Sequence, residues 1–537
     1  MNQFLSRIRK NPFLILLIVL LHTLIINIIW LNLNHVPPEW DEANHTSGAL
    51  EYAYFFSQLF HGNINLGLLL QPLNNPYFPL AKMIAGIMMT LTYPHITIAQ
   101  FTGTLFFIGS IFFIYLVTLK MTKSRKSSLV AAALFAVSPY VIDRSRILSL
   151  DMGVLFFYVS SFYAYVESEY LQRKKYSIIF FILTTCAILT KMQAFTYYVP
   201  LAFFTLFYHK KRGFSKQTIA NIIVGFIITL ACVLPVFIFV HKSLISYYFI
   251  ASKAQFTAPI GLLNLQTWLY YPEQLVHGFF PLYVFPLLAI GLWIFMRNTD
   301  KYKKLLIVQI IGIYLIYSYI PNKGLRFIFP IIPICIISFA IGIRKLLLKD
   351  NVFFMVFFYI LTTGLLINNT LSFSLFPQLK PLFYYQWNVL RPYQTEFYPL
   401  EKLSSDMRKY IDSAQNERVL MIPNFEYFNI NSINMYLRLN NVTHITATIP
   451  KEDTIYTNYF ENRQSLIGLS DHAFALISDG DVGSPWLIDL NDVQQLELQH
   501  LYQQHIYALI ENNKAEILSS YLLPSHVTIH LVRIKTD

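Results

Sequence analysis

Residues 12–51 read PFLILLIVLLHTLIINIIWLNLNHVPPEWDEANHTSGALE. The first part, Pro12–Leu33, carries no Asp, Glu, Lys or Arg. At 22 residues it is long enough to cross a hydrocarbon layer of about 30 Å. The stretch His35–Glu51 follows at once and packs Glu39, Asp41, Glu42 and Glu51 into a short segment at a membrane face. Residues 1–372 hold only 11 acids, so four of them here are a concentration.

Apolar runs of this kind recur as far as Leu371. The chain has 537 residues, 55% of them hydrophobic and only 13% charged, with a mean hydropathy of +0.46. A soluble protein of this size carries roughly a quarter charged residues, so the composition predicts a polytopic α-helical membrane protein. The three cysteines (Cys186, Cys232, Cys335) lie inside apolar runs and predict neither a disulfide framework nor a metal cluster. The formal charge of +12 divides unevenly: residues 1–372 hold 29 basic and 11 acidic residues, residues 373–537 hold 12 and 18. That excess is topogenic and gives no ground for a nucleic-acid partner.

The basic start MNQFLSRIRKN is expected in the cytoplasm, and the first segment reads as an anchor rather than a cleaved signal. Residues Glu39–Phe60 place Ala43, Ala49, Leu50, Ala53 and Tyr54 at helical spacing, which predicts a helix lying along the interface. The prolines of QPLNNPYFPL argue against a helix there. Further segments follow at Met83–Leu119 (broken near Pro94), Leu129–Ile142, Met152–Val166, Ile178–Thr190 and Phe195–Tyr208. Others are Ile219–Val240, Phe279–Met296, Leu305–Ile320, Ile328–Ile343 and Val352–Leu371, with a longer loop at His241–His277. This gives about eleven spans. The six inner loops or ends then hold 21 Lys and Arg against eight outside, as the positive-inside rule requires. An odd count puts residues 373–537 outside.

The chain is thus read as a membrane domain, 1–372, and an extracytoplasmic soluble α/β domain, 373–537. In the latter, Arg418–Ile422, His472–Ser478 and Val527–Ile534 read as strands. Leu400–Ser413 and Gln494–Asn513 read as helices. The tetrapeptide NNVT at Asn440–Thr443 matches a glycosylation pattern that is frequent by chance.

Basic residues on the outer face run against the topogenic bias and are informative: Arg144, Arg146, Lys191, Lys242, Lys253, Lys323 and Arg326. Arg and Lys facing acids at a membrane boundary suit a phosphate-bearing lipid; snorkelling to head groups is the plain alternative. Asp41 and Glu42 point about 100° apart on a helix. One is then available as a general base while the other orients a helix or a substrate, unless both only solvate the helix. Asp41 and His45 stand four apart, with His35 and His61 nearby, a weak pattern for a metal. Asp151 either caps the following span or, with Arg146, shapes a phosphate site.

These residues resemble a known family. The chain is similar to GT-C membrane glycosyltransferases, in particular the dolichyl-phosphate-mannose protein mannosyltransferases and bacterial relatives such as the aminoarabinose transferases of lipid A. The matching features are Asp41-Glu42, YFPLAK, SRILSLD, LTKMQAF and KGLRFIFPIIP, the last carrying Lys323, Arg326, Phe327, Pro330 and Pro333. The end LLPSHVTIHLVRI looks like the family's final hairpin without its usual Asp-Gly turn.

The resemblance implies inverting transfer of a monosaccharide from a polyprenyl-phosphate donor to a lipid, glycan or protein acceptor on the outer face, in a bacterial inner membrane. Asp41 would be the base and Glu42 its support. Arg146, Lys191, Lys323 and Arg326 would hold the donor phosphate, with Asp151 and Arg144 organising them. The loop His241–His277 and the tail would shape the acceptor site. No cofactor is expected, although some related enzymes use a divalent ion. Two rival readings are a flippase for a lipid-linked sugar and a ligase or polymerase of lipid-linked glycans. A flippase would need charges lining a path through the membrane, and here they cluster at span ends.

Overall fold

The structure is a computed structural model. It describes residues 12–70, 77–253, 263–275, 285–320, 323–345, 347, 391–411, 417–449, 472–485 and 492–535. The predicted segment Val352–Leu371, the start of Phe279–Met296 and the 372/373 boundary lie outside them.

Helix α1 (Pro12–Leu33) is followed by α2 (Trp40–Phe60), as the patterns predict. The long apolar stretch near Pro94 is two helices, α3 (Leu80–Leu91) and α4 (Ile96–Thr122). The proline removes a backbone donor and ends the first of them, and the His95 side chain accepts from the Thr97 N–H to start the second. Next come α5 (Arg125–Ala136) and α6 (Pro139–Ser145), bent by 66° at a short break. Pro139 at the first position of α6 sets the new direction.

The helical part continues with α7 (Leu150–Glu167), α8 (Lys174–Thr190), α9 (Phe195–Arg212), α10 (Lys216–Lys253), α11 (Leu265–Gln274), α12 (Phe285–Arg297), α13 (Lys303–Tyr319) and α14 (Ile331–Ile343). Among the described residues three helices are long and apolar enough to cross a membrane, Phe13–Leu33, Ile96–Thr122 and Lys216–Ile245, and four if α5 and α6 form one bent span. One expectation is corrected. The stretch His241–His277 is not a loop throughout, because α10 runs on to Lys253 and α11 occupies Leu265–Gln274.

Helix α2 is seated by small residues. Ala43, Ala49 and Ala53 pack with Ala85 and Met89 of α3, Ala99 of α4 and Leu148. Gly86 allows the close approach: a Cβ there would lie 2.7 Å from Tyr52 Cβ and 2.9 Å from the Ala49 carbonyl. Gly86→Ala should therefore overpack this contact and cost about 1–3 kcal/mol. The check is a lower unfolding temperature in detergent; an unchanged one would mean that the helices part without strain.

The C-terminal part holds α15 (Leu400–Tyr410), β1 (Glu417–Met421), α16 (Ile430–Leu439), β2 (Ile445–Thr448), β3 (Phe474–Ser478), α17 (Asp492–Glu511), β4 (Ala515–Leu522) and β5 (Thr528–Ile534). The sheet order is β2-β1-β3-β5-β4. The first three strands are parallel, and β5 and β4 are antiparallel. Alternate residues serve two cores. Val419 and Met421 face Leu403, Met407 and Ile433, whereas Leu420 and Ile422 face Leu498, Tyr502 and Ile506. Because helices cover both faces, residues 419–422, in β1 and just beyond it, and residues 474–477 of β3 read as continuous apolar runs.

The final hairpin forms without Asp-Gly. His526 takes the left-handed conformation (φ 63°) that glycine favours, and the Leu523 N–H donates to the Val527 carbonyl at 2.9 Å.

Candidate active site

A cavity of about 580 Å³ opens where the start of α2, the approach to α7, the turn after α8 and the turn before α14 converge. A volume of this order suits a small ligand. Its walls include Asp41, Glu42, His45, Tyr77, Arg144, Asp151, Lys191 and Arg326, with Trp40, Phe78, Met192, Phe195, Leu244 and Phe327 as apolar surface.

Asp41 and Glu42 diverge as helical geometry requires. Asp41 Oδ2 accepts from Arg326 Nη1 at 2.9 Å, and the Tyr77 hydroxyl reaches Asp41 Oδ1 at 3.4 Å. The side chain is 48% exposed, although it lies deep in the protein, because it borders the cavity. Burial raises the Asp41 pKa, but Arg326, and less so His45 and Lys191, outweigh it and hold the carboxyl at about 2.

Glu42 instead turns into the protein, 4% exposed, and accepts from Gln100 Nε2 at 2.9 Å. Burial pushes its pKa up to about 7. Its ordinary value is 4.5, so the folded protein keeps this proton over a window in which the unfolded chain has lost it. Stability from this group is then present below about 4.5 and is lost as pH rises to about 7. Glu42→Gln should remove that loss. Its unfolding temperature should climb relative to wild type between pH 5 and 8, and a pH-independent difference would contradict the assignment.

His45, one turn from Asp41, is buried, its pKa lowered to about 3 mainly by desolvation, and its ring meets Tyr77 edge-on at 4.8 Å. His35 does not line the cavity; its N–H donates to the Gln394 carbonyl. Among the described residues no three His, Cys, Asp or Glu side chains stand close enough to hold a metal ion. Asp41 and His45 therefore do not fit a metal site by themselves.

Asp151 sits in the first turn of α7, whose N-cap Ser149 makes no side-chain capping hydrogen bond. Asp151 accepts from Lys191 Nζ at 2.8 Å, so its ionic partner is Lys191 and not Arg146. Lys191 follows the last turn of α8, its ammonium 5.5 Å from the Phe327 ring centre. Arg326 stands on the short 3-10 turn Leu325–Ile328.

Arg146 and Lys323 are not brought to this cavity. Arg146 is 1% exposed, lies over the Trp30 ring and donates to Asn27 Oδ1 at 3.2 Å. Lys323 is 7% exposed and donates to the Tyr317 and Ser318 carbonyls. Neither borders the cavity. Each stands within three residues of a cavity residue, Arg144 or Arg326, and points the other way, which sequence alone does not resolve.

A cluster beside the cavity joins Glu39, Asp143 and Arg144 to Arg391, the one member that no local sequence pattern points to. The Arg391 guanidinium donates to Asp143 Oδ1 and Oδ2 at 3.1 and 3.2 Å and to Glu39 Oε2 at 2.9 Å, while its backbone N–H also reaches Asp143 Oδ1. Arg144 flanks the same two acids at 3.5 Å. Asp143 is 2% exposed, so removing Arg391 leaves a buried charge short of its main partner. Arg391→Ala should cost about 3 kcal/mol or more, read as a lower unfolding temperature, with Arg391→Lys milder. A second tie runs from Arg438 of α16 to Glu51 of α2 at 2.6 Å. These bonds fasten the C-terminal part to the helix carrying Asp41.

The comparisons with known proteins agree with this architecture. Residues 74–239 match the family model of dolichyl-phosphate-mannose-protein mannosyltransferase. The chain is similar in structure to ArnT from Cupriavidus metallidurans, solved bound to undecaprenyl phosphate: TM-score 0.55, 12% identity, 96% of this chain and 97% of that one. It is also similar to the archaeal oligosaccharyltransferase AglB from Archaeoglobus fulgidus, solved with an inhibitory peptide and a dolichol-phosphate: TM-score 0.55, 12% identity, 97% and 74%. A second structure of the oligosaccharyltransferase from that organism, in complex with Zn and sulfate, gives a TM-score of 0.52 at 12% identity over 85% and 67%. No curated protein sequence matches the chain. The fold is similar to that of ArnT and AglB, and over residues 74–239 the family model points the same way as the resemblance read from the sequence.

Proposed function

We propose that the chain is an inverting glycosyltransferase that moves a monosaccharide from a polyprenyl-phosphate donor to an acceptor hydroxyl on the outer face of a bacterial inner membrane. The acceptor is a lipid, a glycan or a protein. The N-terminus is placed in the cytoplasm, residues 1–372 form the membrane domain of about eleven spans, and residues 373–537 form the outer domain. One observation carries the reading: the Asp41 carboxylate and the cations of Lys191 and Arg326 open into one cavity.

The donor phosphate lies against Arg326 and Lys191, which stabilise charge as the polyprenyl phosphate departs. Asp41 takes the proton of the attacking hydroxyl. Glu42 holds the start of α2 through Gln100, Asp151 positions Lys191, and Arg144 lines the cavity beside Glu39. The ArnT and AglB structures, solved with undecaprenyl phosphate and a dolichol-phosphate respectively, support a lipid-phosphate donor.

The test uses purified protein in vesicles loaded with a polyprenyl-phosphate sugar labelled in the sugar. Label leaving the lipid for an acceptor or for water supports a transferase. Label crossing the bilayer still joined to its lipid overturns that reading in favour of a transporter.

A further inference from the structure

Of the ion pairs lining the cavity, the two that hold Lys191 and Arg326 differ in exposure. Lys191 and Asp151 meet at 2.8 Å with side chains 14% and 9% exposed. Arg326 and Asp41 meet at 2.9 Å through one guanidinium nitrogen, with side chains 35% and 48% exposed. Breaking a buried pair strands a desolvated charge and is costly, whereas a pair open to solvent contributes little. An anion entering the cavity therefore draws on Arg326 more readily than on Lys191. Arg326 has a partner to give up: Asp41, the residue proposed as base.

We infer that the donor phosphate and the Asp41 carboxylate compete for the Arg326 guanidinium, so that donor binding itself uncovers the base. This rests on the donor reading above and adds an order of events. Before a donor binds, Asp41 is engaged by Arg326 and is a poor proton acceptor. The groups facing it are Arg326 from the turn before α14, Lys191 after α8, Tyr77 before α3, and His45 on its own helix. When the phosphate takes Arg326, the carboxylate keeps the cavity position but loses its strongest partner. The acceptor then meets a free base only where a donor is already in place.

The charges balance through the turnover. The donor is a phosphodiester with one negative charge. The acceptor O–H breaks, its proton passes to Asp41, and the acceptor oxygen bonds to the anomeric carbon. The bond from that carbon to the phosphate oxygen breaks, and its electron pair stays on the phosphate. The product polyprenyl phosphate is a monoester with two charges, and Asp41 is now neutral, so the total in the cavity is unchanged. Loss of the proton from Asp41 restores its claim on Arg326 and favours product release.

The experiment measures binding of polyprenyl phosphate, with the uncharged polyprenol as control, to wild type, Asp41→Asn and Arg326→Ala in detergent. Size exclusion and thermal unfolding establish that each variant is folded. Asp41→Asn should bind polyprenyl phosphate up to about 5-fold more tightly than wild type, the order of one solvent-open ion pair, with polyprenol binding unchanged. Arg326→Ala should weaken phosphate binding. Equal or weaker phosphate binding by folded Asp41→Asn overturns the competition while leaving the donor reading in place. If wild type binds the two lipids alike and Arg326→Ala changes nothing, the donor reading itself fails.

Discussion

Asp41→Asn should lower the rate of sugar transfer by roughly 10²- to 10⁴-fold, the range that general-base catalysis contributes. The substitution keeps the shape of the side chain and the Tyr77 contact but removes the proton acceptor. It also removes the ion pair with Arg326. That pair is more than one-third exposed on both sides, and open pairs of this kind contribute about 1 kcal/mol or less. The variant should therefore fold and insert normally, and the loss should fall on the catalytic step. The check is the initial rate of label transfer in vesicles at matched protein content. A rate within a few fold of wild type would remove Asp41 from the chemistry.

Arg326→Ala should lower kcat/KM for the donor by roughly 10²- to 10³-fold, comparable to losing one oxyanion donor. Arg326→Lys should recover only part of it, because an ammonium replaces the planar fork that matches phosphate. Arg326 is a cleaner probe than Lys191. Removing Lys191 would strand Asp151, which is only 7% exposed, and mix destabilisation with lost binding. Measured donor dependence of the rate separates the two. A change in kcat/KM for the acceptor alone would move Arg326 out of the donor site.

Much of this architecture is legible in the residues. The helix Trp40–Phe60 follows from its apolar spacing, and the break at Pro94 follows from proline chemistry. The apolar strands β1 and β3 stand out because both faces of their sheet are covered. Helix α16 was not expected, although Asn429 and Ser432 form a capping box that marks its start. Strands β2 and β4 are polar enough to pass for connections.

Within the site, the sequence brought out Asp41, Glu42, Asp151, Lys191, Arg144 and Arg326, and the structure gathers all six around one cavity. Arg146 and Lys323 lie outside that cavity, because a basic residue near a helix end points inward or outward according to the local turn. The Arg391 bond to Asp143 joins residues 248 positions apart, and the Arg438 bond to Ser47 joins residues 391 apart. No local pattern encodes such pairs. They arise only when the C-terminal part folds back onto α2.

The central claim is that the donor phosphate lies between Lys191 and Arg326, facing Asp41. Photo-crosslinking tests it most directly. The probe is a polyprenyl phosphate bearing a diazirine on its first isoprene unit, with adducts mapped by mass spectrometry. The expected adducts fall on Tyr77–Phe78 and Lys191–Phe195, are suppressed by excess unlabelled polyprenyl phosphate, and fade in Arg326→Ala. Adducts confined to the exposed apolar side chains of α10, such as Phe226 and Leu234, and insensitive to competitor, would contradict it.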